Sequence, residues 1–288
     1  MDNVKDIKKV FVAGAGLMGS QIALGCALSG YETWLYDSFP VAIDKVDGWS
    51  KKYLTERVEK GKLTKEQAEG ALSKLHLTKD FDEAAKDADL TIEAIIEKKE
   101  EKEAFFKKLC GVVAADSLIT TNSSFMASSL FANSVENPER LANLHYFNPA
   151  LVMKLVEIVK GEHTSDKTAE ILYDFAKSVG KTPVLLNKEI DGFVVNRISI
   201  AISNAALELI ELGVASPEDI DIAIENGLNH PMGPFRLMDL TGIDLAYMIS
   251  ARQAKAGATV HGFDILKEKF EAGQHGRKTG KGWYDYNK

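Results

Sequence analysis

The chain has 288 residues, 45% of them hydrophobic, a formal net charge of −7 and two cysteines. Such a length suits a nucleotide-sized domain plus a smaller second one, and the composition is that of a globular chain with a sizeable core. The acidic balance argues against nucleic acid or an anionic membrane as main partner, and Cys26 and Cys110 read as small buried hydrophobes of a reducing compartment, so the cytoplasm is the expected location.

In chain order, an apolar strand over residues 10–13 runs into Gly14-Ala15-Gly16-Leu17-Met18-Gly19. A helical pattern follows to Gly30, then a second strand over 33–36 that ends on Asp37. This is the strand, glycine turn, helix, strand and acid order of a dinucleotide-binding unit. Gly14 permits the turn, Gly16 lets backbone approach a pyrophosphate, and Gly19 lets helix and strand pack. The free N–H groups at the new helix's start attract the phosphates. Asp37 accepts hydrogen bonds from ribose hydroxyls, and no arginine in Ser38-Phe39-Pro40 receives a 2′-phosphate, so NAD is expected rather than NADP. The 22 uncharged residues from 10 to 31 mimic a membrane span or a signal peptide, but five glycines with Ser20 and Gln21 make them too polar and broken for either.

Residues 41–74 read as an inserted helical hairpin, 41–60 and 64–74 joined around Gly61. It carries Lys51, Lys52, Arg57, Lys60, Lys62 and Lys65 against Glu56 and Glu59, which is either a solvated face or a receiver for a polyphosphate substrate. Alternation then resumes, with strands at 90–95, 117–121, 141–145, 155–159 and 184–186, and a helix over 100–113. The expected fold is α/β, a Rossmann-type doubly wound parallel sheet over residues 1–187. Residues 188–288 carry no further strong strand pattern and form an all-α second domain, with helices over 193–212, from Ser216-Pro217 and from Pro234. A helical, apolar domain of this kind suits a homodimer interface.

His145 stands where a strand meets a loop, with Asn148-Pro149 behind it, and Glu157 lies twelve residues on among apolar neighbours. A buried carboxylate needs a partner, and a histidine would satisfy it. The carboxylate then fixes the imidazole tautomer and leaves the other nitrogen to take a proton. The alternative is a solvated His145 and an exposed Glu157. His76, His163, His230, His261 and His275 show no metal-ligand spacing, and no metal site is expected.

The motifs GAGLMG with Asp37, EAIIEKKEEK, TNSS, LHYFNP, VMKLVEIV, DGFVVNRI, HPMGPF and RKTGKGWYDY occur in that order. Together they resemble the NAD-dependent L-3-hydroxyacyl-CoA dehydrogenases, including the bacterial 3-hydroxybutyryl-CoA enzymes, across essentially the whole chain. The resemblance implies that His145 is the general base for the C3 hydroxyl and Glu157 its orienting partner. It implies that Ser123, with Ser124 the alternative, is the hydroxyl bridging substrate oxygen and cofactor, and that Asn196 is the amide on the reacting oxygen. Gly14, Gly16, Leu17, Met18, Gly19, Asp37, Ala94, Glu97, Lys102, Ser123 and Asn148 are the implied NAD contacts, and Lys60 the implied contact to an acyl-CoA. Where the family has Phe after its histidine, this chain has Tyr146. A short-chain acyl-CoA substrate is expected. The alternatives are a dehydrogenase of a free 3-hydroxy acid or sugar acid of the gulonate type, and a non-catalytic structural relative.

Overall fold

A computed structural model describes residues 1–287, which fall into two compact units, the first ending at Phe193 and the second beginning at Val194. The first unit is built on eight strands: β1 (Lys9–Ala13), β2 (Glu32–Tyr36), β3 (Leu75–Thr78), β4 (Leu90–Glu93), β5 (Leu118–Thr121), β6 (Leu141–Tyr146), β7 (Leu155–Val159) and β8 (Thr182–Leu186). Their order across the sheet is β3-β2-β1-β4-β5-β6-β7-β8. Every pairing is parallel except β6 with β7. The order reverses between β1 and β4, and in open sheets of this kind ligands bind outside the carboxyl ends of the strands at that reversal.

Helices α1 (Leu17–Leu28), α2 (Pro40–Glu59), α3 (Lys65–Lys74), α4 (Phe81–Ala85), α5 (Lys99–Cys110) and α6 (Asp166–Ser178) connect the strands. The uncharged stretch after β1 is explained by α1, twelve residues long and buried at Ile22, Ala23, Leu24, Cys26 and Ala27. Among the described residues no helix is long and apolar enough to cross a membrane. On the other side of the sheet, Phe105, Phe106 and Leu109 of α5 pack with Phe11, Phe81 and Phe131, each burial contributing about 1.5–3 kcal/mol. The hairpin is α2 and α3, joined through Gly61 at φ +63°.

In the first unit, strand β3 and helices α4 and α6 go beyond the sequence expectation. Strand β4 also ends at Glu93 rather than 95, because the Glu93 carboxylate accepts the Ile95 N–H at 2.7 Å.

The second unit holds α7 (Val195–Glu211), α8 (Pro217–Gly227), α9 (Pro234–Thr241), α10 (Ile243–Lys255) and α11 (Phe263–Glu271) around Leu207, Ile220, Phe235, Met238 and Leu266. Two buried aspartates tie it together. Asp221 accepts the Phe235 and Arg236 N–H groups at the start of α9 and the Tyr284 hydroxyl at 2.7 Å. Asp239 accepts the Trp283 and Tyr284 N–H groups and the Tyr286 hydroxyl, fastening the tail to the bundle. Ser216 caps α8, its hydroxyl oxygen accepting the Asp219 N–H. The sequence reading ended the first domain at residue 187 and began a helix at 193; the compact unit instead runs to Phe193. That residue has φ +49° and is 2% exposed with Val159 and Leu186, so it belongs to the first core and cannot open a helix.

One buried group is poorly placed. Tyr146 is 4% exposed on the α1 and α6 side of the sheet, and its hydroxyl has no hydrogen-bond partner among the described residues. An unsatisfied buried hydroxyl costs about 1–3 kcal/mol. Tyr146→Phe is therefore expected to raise the melting temperature by roughly 2–12 °C with turnover unchanged. A lower melting temperature in calorimetry would mean that the hydroxyl is in fact satisfied.

A second site reports on pH. His163 lies half-buried with Nε2 3.3 Å from Ser128 Oγ, which donates to Glu189 at 2.8 Å. Burial pushes the imidazole below its ordinary value of 6.5, with the Glu189 charge pulling partly back. As pH falls below that value the unfolded chain takes the proton first, so stability intact above it is lost toward the lower folded value. His163→Gln should flatten that acid loss in urea titrations run stepwise downward from neutral pH. An unchanged slope would remove His163 from the balance.

Candidate active site

The loops after β1, β4, β5 and β6 meet at the carboxyl edge of the sheet. After β1, Gly14 sits at φ +103°, and a Cβ there would lie 2.4 Å from the Ala94 carbonyl oxygen. A Cβ on Gly19 would lie 1.8 Å from the Gly14 carbonyl oxygen, so α1 leaves β1 at contact distance. Gly16 differs, since a Cβ on it would meet nothing within 4 Å. That open space faces the start of α1, where no side chain caps the helix. Leu17 and Met18 form the first turn. Asp37, at the end of β2, accepts the Ala15 N–H through Oδ2 at 2.8 Å and the Phe39 N–H through Oδ1 at 2.9 Å. Leu17, the implied NAD contact at the head of α1, is exposed together with Phe39 after β2 and Ile96 after β4, two residues the sequence expectation does not include, and the three offer apolar surface suited to a flat ring. An uncapped helix start, a glycine with room over it and a carboxylate after β2 together fit NAD.

The His145–Glu157 contact follows from the antiparallel pairing of β6 with β7. Turning back after β6 brings β7 alongside in the register His145↔Glu157, directly opposite each other. His145 Nδ1 lies 2.9 Å from Glu157 Oε2, with the two side chains 3% and 1% exposed. A spacing of twelve residues becomes a contact because the chain makes a hairpin there instead of a crossover. The imidazole is walled by Phe147, ring centroids 4.5 Å apart, and by Phe193 at 5.4 Å. Phe193 was visible in DGFVVNRI but went unread as a site residue. Its backbone in the left-handed region holds the ring there, and such strain in a non-glycine residue clusters at functional sites.

The two serines separate clearly. Ser124 Oγ is 2.9 Å from His145 Nε2, the nitrogen that Glu157 leaves free. Ser123 is turned away; its hydroxyl donates to Glu97 and accepts the Met126 N–H at 2.9 Å. Geometry thus brings Ser124, not Ser123, to the histidine. Asn143 steadies the same turn by donating to the Ser123 and Met126 carbonyl oxygens, while Asn122 Oδ1 accepts the Tyr146 N–H.

Glu97 is 43% exposed along its side chain, and Lys102 only 1%. The Lys102 ammonium is held by Glu93 at 2.6 Å and Glu97 at 3.1 Å, so it reaches toward a ligand only through Glu97. Ala94 is half-buried beside Gly14, and Asn148 is exposed just before Pro149. Lys60 stands exposed at the end of α2, 3.9 Å from Glu56. Part of the hairpin's basic surplus is met by such one-turn pairs, Lys51 with Asp47 and Lys65 with Glu69. Asn196 belongs to the second unit, in the first turn of α7, where it lines a cavity of about 120 Å³. Among the described residues no three His, Cys, Asp or Glu side chains converge to hold a metal ion.

A doubly wound nucleotide-binding unit with a buried histidine–carboxylate pair at its carboxyl edge defines a pyridine-nucleotide dehydrogenase acting on a hydroxyl group. The chain belongs to the 3-hydroxyacyl-CoA dehydrogenase family. Residues 9–190 match its NAD binding domain and residues 192–286 its C-terminal domain. A 3-hydroxybutyryl-CoA dehydrogenase of Clostridioides difficile is 39% identical over 282 residues, covering 97% of this chain and all of that one. The crystal structure of (S)-3-hydroxybutyryl-CoA dehydrogenase from Ralstonia eutropha superposes with a TM-score of 0.90 at 33% identity, covering 98% of this chain and 100% of that one. That of 3-hydroxybutyryl-CoA dehydrogenase from Escherichia coli K12 gives 0.91 at 37% identity, where this chain spans 60% of the longer relative.

Proposed function

We propose that the protein interconverts short-chain (3S)-3-hydroxyacyl-CoA, in particular 3-hydroxybutyryl-CoA, and the 3-ketoacyl-CoA. The observation that carries this reading is the His145–Glu157 pair with Ser124 on the free imidazole nitrogen. His145 Nε2 takes the proton of the C3 hydroxyl as C3 gives up its hydride, and returns it to the oxygen in the reverse direction. Glu157 holds the Nδ1–H tautomer and stabilises the imidazolium that forms. Ser124 donates to the reacting oxygen. The rings of Phe147, half-buried, and Phe193, buried, screen the imidazole from water. The turn from Gly14 to Gly19, Asp37, Ala94, Glu97 and Asn148 would hold NAD, which when bound supplies the hydride acceptor, or the donor in reverse. Lys60 and the hairpin receive the CoA phosphates.

The test is NADH oxidation by the purified protein with acetoacetyl-CoA, run beside free acetoacetate. Turnover on the thioester alone supports the reading, and turnover on the free acid alone replaces it with a free hydroxy-acid dehydrogenase. A second comparison separates the serines. Ser124→Ala should lower kcat by about 10²-fold, the scale of losing one donor to a developing oxyanion. Ser123→Ala should act mainly on NADH affinity through Glu97. The reverse ranking would return the catalytic hydroxyl to Ser123.

The second unit supports a homodimer, since Ile198, Ile222, Leu228 and Met248 are all more than half exposed. Two unpaired cysteines, Cys26 fully buried, support a reducing compartment such as the cytoplasm.

A further inference from the structure

Two charges buried as deeply as the histidine pair lie outside it in the first unit. Glu93 is 0% exposed and Lys102 1%, and neither touches the imidazole. Glu93 is fixed on three sides. Its Oε1 accepts the Lys102 ammonium at 2.6 Å and the Ile95 N–H at 2.7 Å, and its Oε2 accepts the Thr121 hydroxyl at 2.6 Å. Lys102 cannot remain charged at that depth without carboxylates around it, because burying an uncompensated ion is costly. Its second carboxylate is Glu97, on an open loop and anchored at both oxygens: Oε2 by Lys102, Oε1 by the Ser123 hydroxyl. Ser123 in turn closes the bend that points Ser124 at His145. Burial pushes the Glu93 carboxyl upward, and the adjacent ammonium with two hydrogen-bond donors pulls it back toward the ionised form.

We propose that Glu93 is a positioning residue of the hydride-transfer site, acting through Lys102 and Glu97 on the serine turn that carries Ser124. The proposal rests on the dehydrogenase reading above. It makes a residue that touches neither substrate nor cofactor set both NADH affinity and turnover. With Glu93 ionised, the ammonium is shared between two carboxylates, and Glu97 keeps one oxygen for Ser123. With Glu93 neutral, Lys102 draws Glu97 wholly to itself, and the turn loses its tie.

The test is a double-mutant cycle on the full chain, reading NADH affinity by fluorescence titration and kcat with acetoacetyl-CoA at saturating NADH. Glu93→Gln is expected to weaken NADH binding about fivefold and lower kcat about tenfold. In a Ser123→Ala background the same substitution should change each by less than twofold, because groups acting in one chain of contacts are non-additive. Wild-type values for both quantities in Glu93→Gln, or full additivity with Ser123→Ala, would overturn the proposal and leave the pair a packing feature. If Glu93→Gln does not fold, Thr121→Val withdraws a single donor from Glu93 and should give smaller shifts of the same sign. Wild-type values there would equally overturn it. Should the wild-type protein ignore acetoacetyl-CoA, the dehydrogenase reading fails, and non-additivity in NADH affinity still decides the role of Glu93.

Discussion

His145→Gln is expected to lower kcat by roughly 10²–10⁴-fold, the range that general acid–base catalysis contributes, while NADH binds almost as in the wild type. Glutamine occupies nearly the same volume between Phe147 and Phe193 and can still donate to Glu157, so the walls and the carboxylate remain satisfied. What it lacks is a basic nitrogen facing Ser124. The cofactor turn lies after β1, on other strands of the sheet, and does not use His145. Stopped-flow NADH oxidation with acetoacetyl-CoA reads the chemical step, and fluorescence titration reads binding. Glu157→Gln should also slow turnover, because an amide either donates or accepts and so no longer dictates the tautomer. Wild-type rates in either variant would remove the pair from the chemistry.

Gly19→Ala is expected to damage fold and cofactor binding together. The added methyl would lie 1.8 Å from the Gly14 carbonyl oxygen and 3.4 Å from the Ala94 Cβ. The closer neighbour is backbone, so it cannot swing aside; α1 must lift from β1. Overpacking of this sort costs about 3 kcal/mol or more, a fall in melting temperature of roughly 6–12 °C for a unit of this size. Lifting α1 also displaces the N–H groups meant for the pyrophosphate, so NADH affinity should drop at temperatures where the variant is still folded. A wild-type melting curve with wild-type NADH affinity would show that helix and strand do not pack as described.

Much of this architecture was legible because its signals are local. The glycine turn, Asp37 and the strand pairs around them lie within thirty residues, each with its own backbone requirement. The hairpin announced itself through two helical patterns and Gly61. Strand β3 was not legible: four residues, Leu-His-Leu-Thr, follow α3 with no turn residue between, and three of the four are only half-buried. The hydroxyl facing His145 lay beyond sequence as well. Ser123 and Ser124 are adjacent and chemically identical, and what separates them is the bend that Glu97 and Asn143 impose from outside the motif. Glu93 opens a motif that ends on Lys102, and Thr121 opens another, but only folding shows that the three side chains meet. The compact unit runs a few residues past the expected boundary for a similar reason. A helical pattern runs through 193, but the positive φ of Phe193 answers to the core that receives its ring.

The open space over Gly16 carries a cost for the molecule itself. Its backbone, at φ −74° and ψ −171°, is one that serine or aspartate adopts freely at the head of a helix, and either would cap α1. A chain selected only to stay folded would hold such a residue, but the donors it would satisfy are the ones reserved for phosphate. Position 16 is thus a standing concession of folded stability to binding. Occupancy by the dinucleotide restores what the helix head gives up, so the holoprotein should resist heat and proteolysis better than its glycine turn alone would allow.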